Sequence, residues 1–491
     1  MADQTQRIEL KTEPSILRVI AWILLIMISF LFLVTFIHQK CYYLDSDVFY
    51  YVSIADSIRA NGLFLDTTTD PPVPPKTPQN AVVLLNLLLS QFTASHELRL
   101  QILVIINYVA LLISLYPLLK IAQKAGLESP WMQIVLGAVY LGGWHMMRFQ
   151  LAPINDGLFR TGSLWLIWGI LTLAESMSVP EGGYKNIKWL VTGLLLFSGL
   201  LIHFRLNGLI IPIAGCAAAL FLKRKSVLWI CVVMIVVMLL SLFAVYSCIE
   251  LSRIHAEVDQ SYRVFVSRLP QHIWNFFNHS LPSALFKDLG TTGNLLYAGF
   301  ALAFLNSIWN GFRKKEFSSL FLVLICLGTF CFMILYLAAP YRMLMMVYPL
   351  MYILILNKPT LRSIGCLFVF SVLLQSYLYY HDGLGIPEST RFWMEASTKA
   401  DFEEKAVLLT DKPRQAWYFI NHSGRKDNQI DPSEVVSGAD IYLCGSDDFV
   451  SSQKKKLELL VSENQYSLQY TSIIPNSSGF CFLKADIMAI E

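Results

Sequence analysis

The strongest constraint in this chain is a succession of apolar segments whose connecting loops alternate in charge. A helix that crosses the hydrocarbon core of a bilayer needs roughly 20 predominantly apolar residues. Eleven segments approach that length, at about 15–37, 99–119, 130–149, 157–176, 189–203, 207–222, 227–248, 292–311, 318–338, 343–357 and 362–380. Every second loop carries at least two cations: Lys120 and Lys124, Lys185 and Lys188, Lys223 to Lys225, Arg313 to Lys315, and Lys358 with Arg362. Short cytoplasmic loops are enriched in Lys and Arg, so the N-terminus is predicted inside and the C-terminus outside. The stretch 78–92, PQNAVVLLNLLLSQF, is apolar but short for a crossing, at ~15 residues. As a crossing it would turn every later cation cluster outward, so it reads as an interfacial helix.

Composition agrees. The chain is 55% hydrophobic and only 15% charged, against about 25% charged in soluble domains. That predicts a mainly helical polytopic membrane protein, integral and multi-pass. The first segment follows a polar tail and precedes no small-residue cleavage site, as expected of an anchor. No G-x-x-x-x-G-K-[ST] loop is present, which weighs against an ATP-driven pump. Nine cysteines show no metal-type spacing, and most sit in apolar runs where packing is their expected role. His145, His203, His272 and His279 show no ligand spacing either. Nucleic acid is not an expected partner.

The chain changes character after residue 380. Residues 1–380 are predicted to form the membrane domain, with a long first outer loop at 38–98. Residues 381–491 are polar, with strand-like runs AVLLT, DIYLC, YSLQYTSII and GFCFLK and a helix-like SSQKKKLELLVSEN. They predict a small extracytoplasmic α/β domain. Its two cysteines, Cys444 and Cys481, lie in two of these runs. If those strands are neighbours, either a disulfide forms or the two side chains face different layers.

The candidate chemistry gathers in the first outer loop, where DSDVFYYVSIADSIRANGLF follows the first segment. Its mixed pattern, one apolar side and one charged side beside a membrane span, predicts an amphipathic helix lying in the interface. Asp45 and Asp47 open it. Such a pair can supply a general base, hold a divalent cation or cap the helix. Asp156, in PINDGLFR, could face Asp47 across a cavity or cap the next helix. Cations on the outer side need a local reason: Lys76, Arg148, Arg205, Arg342, Arg263 and Arg268 could meet a lipid-linked phosphate, snorkel to headgroups or pair with acids. The interiors of the segments otherwise read as nearly free of charge.

The order of these motifs resembles the GT-C superfamily of integral membrane glycosyltransferases, in particular the bacterial aminoarabinose transferases of lipid A and protein mannosyltransferase-like enzymes. Asp47-Val-Phe-Tyr50-Tyr51 followed by Ile54-Ala55 is similar to the family's acid, aromatic pair and helix in the first outer loop. Pro75-Lys76-Thr77-Pro78 resembles the element that opens a second surface helix. Asp156 matches a second acid, Arg205 in HFRLNGLIIP a basic residue opening a later span, and Tyr341-Arg342 an aromatic-Arg pattern near the last spans. The pair after the first span departs from the family's acid-acid form, standing here as D-S-D, and the last ~110 residues match no family motif.

The resemblance implies an inverting transfer of one sugar from a polyprenyl-phosphate donor to a glycan, lipid or protein acceptor on the outer face of the membrane. It implies Asp47 and Asp156 as catalytic acids, and Asp45, Tyr50, Tyr51, Lys76, Arg205, Tyr341 and Arg342 as substrate-binding residues. It further implies a bacterial inner membrane with the site on the periplasmic face, surrounded by membrane lipids. No cofactor is expected, although one branch of the superfamily does use a divalent metal on D-x-D-like acids. The alternatives are a glycolipid or lipid-linked-oligosaccharide flippase and a glycan polymerase. Transporters tend to carry ionisable residues at the bilayer midplane and to show repeats, and neither is legible here.

Overall fold

The structure, a computed structural model, describes residues 16–44, 47–68, 81–178, 184–246, 290–335, 340–382, 388–399, 407–420, 440–463, 466–477 and 480–489, with isolated positions between them. Asp45, Lys76, Arg263 and Arg268 lie outside the described residues, as do the side chains of Tyr341 and Arg342.

Each of the eleven apolar segments contains helix. In chain order the helices are α1 (Ile16–His38), α2 (Asp47–Asn61), α3 (Ala81–Ser90), α4 (His96–Lys124), α5 (Pro130–Gly142), α6 (Trp144–Leu151), α7 (Asn155–Ser176), α8 (Tyr184–Leu201), α9 (Ile210–Phe221), α10 (Lys225–Tyr246), α11 (Gly290–Lys314), α12 (Phe317–Leu335), α13 (Pro340–Leu356) and α14 (Arg362–Asp382). A helix satisfies its own backbone, the requirement lipid imposes. Six of them, within α1, α4, α7, α10, α11 and α12, are long and apolar enough to cross a membrane, and shorter apolar helices lie between. The chain is an integral membrane protein. Among the described residues of stretch 78–92 the helix is α3, ten residues, roughly 15 Å at 1.5 Å per residue, about half a hydrocarbon core.

One predicted segment divides. Residues 130–149 break at Gly143, which adopts extended backbone between α5 and α6. Gly142 and Gly143 stand together there, and each glycine costs a helix about 1 kcal/mol relative to alanine. The break frees α6 to pack on α4 and α7. At the end of α4, Gly126 takes a left-handed conformation, φ +94, and stops the helix there.

The cation-bearing loops converge. Lys124, Arg224 and Lys315, from three different cation-bearing turns, line one cavity of about 350 Å³ with Glu175 and Phe317. Lys124 pairs with Glu175, and Arg224 donates to the Ala174 carbonyl and the Ser178 hydroxyl at 3.0 Å each. Glu175 closes the C-terminal end of α7, while Asp156 opens its N-terminal end. The two carboxylates are therefore roughly 28 Å apart along the axis, close to a hydrocarbon thickness. The cation loops and the candidate acids occupy opposite ends of the bundle.

The predicted strands form. β1 (Val407–Thr410), β2 (Ile441–Ser446), β3 (Tyr466–Ser477) and β4 (Phe480–Ala489) make one sheet in the order β1-β2-β4-β3, with β1 parallel to β2 and the other pairs antiparallel. Helix α15 (Glu388–Lys399) lays Phe392 and Trp393 on one face, and α17 (Asp447–Glu463) lays Leu457 and Val461 on the other. Between β1 and β2 lies the short helix α16 (Pro413–Ile420). Cys444 and Cys481 are on neighbouring antiparallel strands but one register apart, with Cys444 opposite Phe482 and Cys481 opposite Gly445. Side chains alternate along a strand, so Cys444 enters the Trp393 layer and Cys481 the Leu457 layer. Both are free thiols, and the bridge does not form.

The first outer loop departs most from expectation. Helix α2 does not set a buried side apart from an open one over its first half. Val48 to Ala55 are all buried. Helix α3 packs along it, and α16 of the C-terminal region covers it. The mixed pattern belongs to a helix packed against both α3 and α16.

Candidate functional site

The site starts from how α2 is pinned. Asp56 accepts from Arg99 at 2.8 and 3.2 Å and from His96 at 2.7 Å, all at the start of α4. Burial would raise the Asp56 pKa, but these hydrogen bonds outweigh it and hold it below the ordinary carboxylate value. Tyr42 donates to Glu97 at 2.9 Å, and Lys40 pairs with the same carboxylate at 2.9 Å. The loop that carries Asp47 is thus tied to α4 at both of its ends.

The loop that carries Asp156 is held by amides. Asn107 of α4 donates to the Ala152 carbonyl at 2.6 Å, and Gln150 donates to the Asn107 and Gly157 carbonyls at 3.2 Å each. A Cβ at position 157 would collide with the Gln150 carbonyl, so glycine is what lets α7 begin this close to α6. Asn155 then faces α2. Its amide donates to the Tyr51 hydroxyl at 3.1 Å and its carbonyl oxygen accepts from the Val82 N–H at 3.3 Å. One side chain joins α2, α3 and α7.

Asp156 is buried, and its carboxylate pairs with Arg205. Arg205 has extended backbone, φ −159, where it opens the short 3-10 turn Leu206–Leu209. Asp47 is the first residue of α2, a position where a negative charge is favoured. It is about one-third exposed and pairs with Arg414 of α16 at 2.8 Å. The Arg414 guanidinium also lies over the Tyr50 ring, 4.6 Å from its centroid.

The two carboxylates are within electrostatic reach of each other. Both act on Tyr51, whose phenol is pushed well above its ordinary pKa, first by burial and then by Asp47 and Asp156, with Arg205 opposing. Tyr51 therefore stands as a protonated phenol between two acids. The structure brings together Asp47, Tyr50, Tyr51, Asp156 and Arg205 from the residues singled out in the sequence. Helix α13 begins at Pro340, so Tyr341 and Arg342 fall in its first turn.

Sequence reasoning missed two arginines. Arg414 has no family motif around it. The signal available was the amphipathic run PRQAWYFI, whose Arg414 and Tyr418 share a face. Arg160 of α7 is fully buried in the bundle, over the Tyr140 ring at 3.8 Å. It corrects the reading that the segments hold almost no charge. Among the described residues no three His, Cys, Asp or Glu side chains converge as metal ligands would.

No family model matches the chain, and no curated protein matches it. Solved structures do. ArnT from Cupriavidus metallidurans bound to undecaprenyl phosphate superposes with a TM-score of 0.56 at 12% identity, covering 95% of this chain and 97% of that one. The same protein in the apo state gives 0.53 at 11% identity, over 95% and 98%. The oligosaccharyltransferase of Archaeoglobus fulgidus tethered to an acceptor peptide containing the NVT sequon gives 0.54 at 10% identity, over 95% and 74%. At these identities the likeness is one of fold. The chain has the GT-C fold, as its motif order suggested.

Proposed function

We propose that this protein is a membrane glycosyltransferase that moves a sugar from a polyprenyl-phosphate donor to a glycan, lipid or protein acceptor. One observation carries the reading. Asp47, Asp156 and Arg205 converge around Tyr51 at the end of the bundle opposite the cation-rich loops, in a chain that superposes over nearly its whole length on a structure bound to undecaprenyl phosphate. By the charge of its loops that end faces outward, which in a bacterial inner membrane is the periplasmic face.

In this reading Asp47 is the base. It takes the proton from the acceptor hydroxyl, whose oxygen attacks the anomeric carbon from the face opposite the phosphate, inverting the centre. The bond from the anomeric carbon to the phosphate oxygen breaks, and the lipid phosphate leaves with its electron pair. Lys76, Arg205 and Arg342 neutralise the charge that develops there. Arginine carries five N–H donors, so Arg205 can hold Asp156 and still meet a phosphate. Asp156 orients the sugar through Arg205 and the Asn155–Tyr51 contact, and Tyr50, Tyr51 and Tyr341 are assigned to substrate binding. Asp45, two residues before the base, contacts the acceptor. The C-terminal region roofs the site, and no cofactor is assigned a step.

The test has two parts. Mass spectrometry of the purified protein should find a co-purified polyprenyl-phosphate sugar. Asp47→Asn should then abolish its consumption while leaving expression and lipid retention intact. Retained turnover in Asp47→Asn with loss in Asp45→Asn would move the base to Asp45. A donor that is bound by the wild type but never consumed would point to lipid transport instead.

A further inference from the structure

Two carboxylates meet at this site, and each has its own arginine, drawn from a different part of the chain. Arg205, which holds Asp156, belongs to the membrane bundle. Arg414, which holds Asp47, comes from 367 residues away along the chain. We propose that Arg414 is a positioning residue of the active site, so that helix α16 of the C-terminal region supplies the cation that fixes the Asp47 carboxylate for proton abstraction. The inference rests on the transferase reading above.

The geometry is built rather than incidental. Residues three and four apart share a helix face. On α2 that places Asp47 beside Tyr50 and Tyr51, and on α16 it places Arg414 beside Tyr418. The two faces meet. Tyr418 lies 4.7 Å from the Phe49 ring and 5.5 Å from the Tyr43 ring, and Phe419 lies 5.4 Å from Tyr43. The Tyr43 and Tyr418 hydroxyls are hydrogen-bonded at 3.2 Å. Arg414 is therefore delivered one turn from a fixed aromatic seam. Its guanidinium is gripped twice, by the Asp47 carboxylate and by the Tyr50 ring.

Asp47 needs such a partner. Its side chain is one-third exposed, so packing alone does not fix it, and the second carboxylate, Asp156, lies within electrostatic reach. An arginine stays protonated in proteins. It can hold the base throughout the reaction without giving or taking a proton, and the bonds made and broken are those already described. An orientation error of about 1 Å at a reacting group can cost on the order of 100-fold in rate.

The test uses the full chain in nanodiscs, with radiolabelled polyprenyl-phosphate sugars extracted from host membranes as donor. Arg414→Ala should lower turnover at least tenfold with undecaprenyl phosphate retention unchanged by mass spectrometry. Arg414→Lys should keep part of the rate, and millimolar methylguanidinium should restore Arg414→Ala. Tyr418→Ala, which loosens the seam but leaves the guanidinium, should not respond to methylguanidinium. Turnover of Arg414→Ala within twofold of wild type overturns the proposal. So does a loss that neither lysine nor methylguanidinium relieves, which would mark Arg414 as part of the docking surface only. If the wild type transfers no sugar, the transferase reading falls; if Asp47→Asn keeps transfer, Asp47 is not the base and the role of Arg414 falls with it; if Asp47→Asn is dead and Arg414→Ala is not, only the role of Arg414 falls.

Discussion

The two acid–arginine pairs have the same chemistry and opposite surroundings. Asp156 and Arg205 expose 1% and 11% of their side chains, whereas Asp47 and Arg414 expose 34% and 31%. The first pair is inside the bundle, between the start of α7 and the turn before α9. The second bridges two parts of the chain across a solvent-reachable seam. A buried pair has little water to fall back on, so losing one partner strands a charge. An exposed pair exchanges its partner for water at small cost. Changing the first therefore costs stability as well as function, whereas the second can be changed at little cost to the fold.

Stability measurements can break this contrast. Asp156→Ala should destabilise the protein by about 3–5 kcal/mol, the usual cost of an uncompensated buried charge, read as lower thermal stability in detergent. Replacing both partners with leucine should recover most of that loss, since a buried pair often contributes little beyond an apolar packing of similar volume. If Asp156→Ala is as stable as wild type, water reaches the pair and the contrast fails.

Arg414→Gln should cost about 1 kcal/mol or less, as exposed pairs do, and raising salt should narrow even that difference. The sharpening result is a variant that folds like wild type and is slow in transfer. A large loss of stability in Arg414→Gln would instead make the Asp47 pair structural.

The smallest effect concerns the latch beneath the site. The folded-state pKa of Asp56 is depressed, because hydrogen bonds from His96 and Arg99 outweigh the upward push of burial. A depressed carboxylate adds stability that is fully present above its unfolded pKa, about 3.9, and that is lost as pH falls through the folded value. The first outer loop should therefore resist pepsin down to roughly pH 4 and open below it. Asp56→Asn should flatten that dependence.

Much of the fold was legible along the chain, because lipid forces every backbone group to be satisfied locally. The long apolar runs had to be helices, and 78–92 was too short to be a full crossing. The alternation of AVLLT, DIYLC, YSLQYTSII and GFCFLK marked strands by the same local logic. Asp47, Tyr50, Tyr51, Asp156 and Arg205 were legible as a set because the motif order of one fold carries them. What the tertiary structure decided were relations between distant segments. Local pattern cannot show which distant segments pack on a helix, so the cover that α16 gives α2 was not legible. Strand pairing made Cys444 and Cys481 neighbours, but a one-residue register turned them to opposite layers. Arg414 sits in a stretch with no motif, and it gains its meaning only when docking of Tyr418 and Phe419 against α2 carries its charge to Asp47, a contact between residues far apart in the chain that no local spacing encodes.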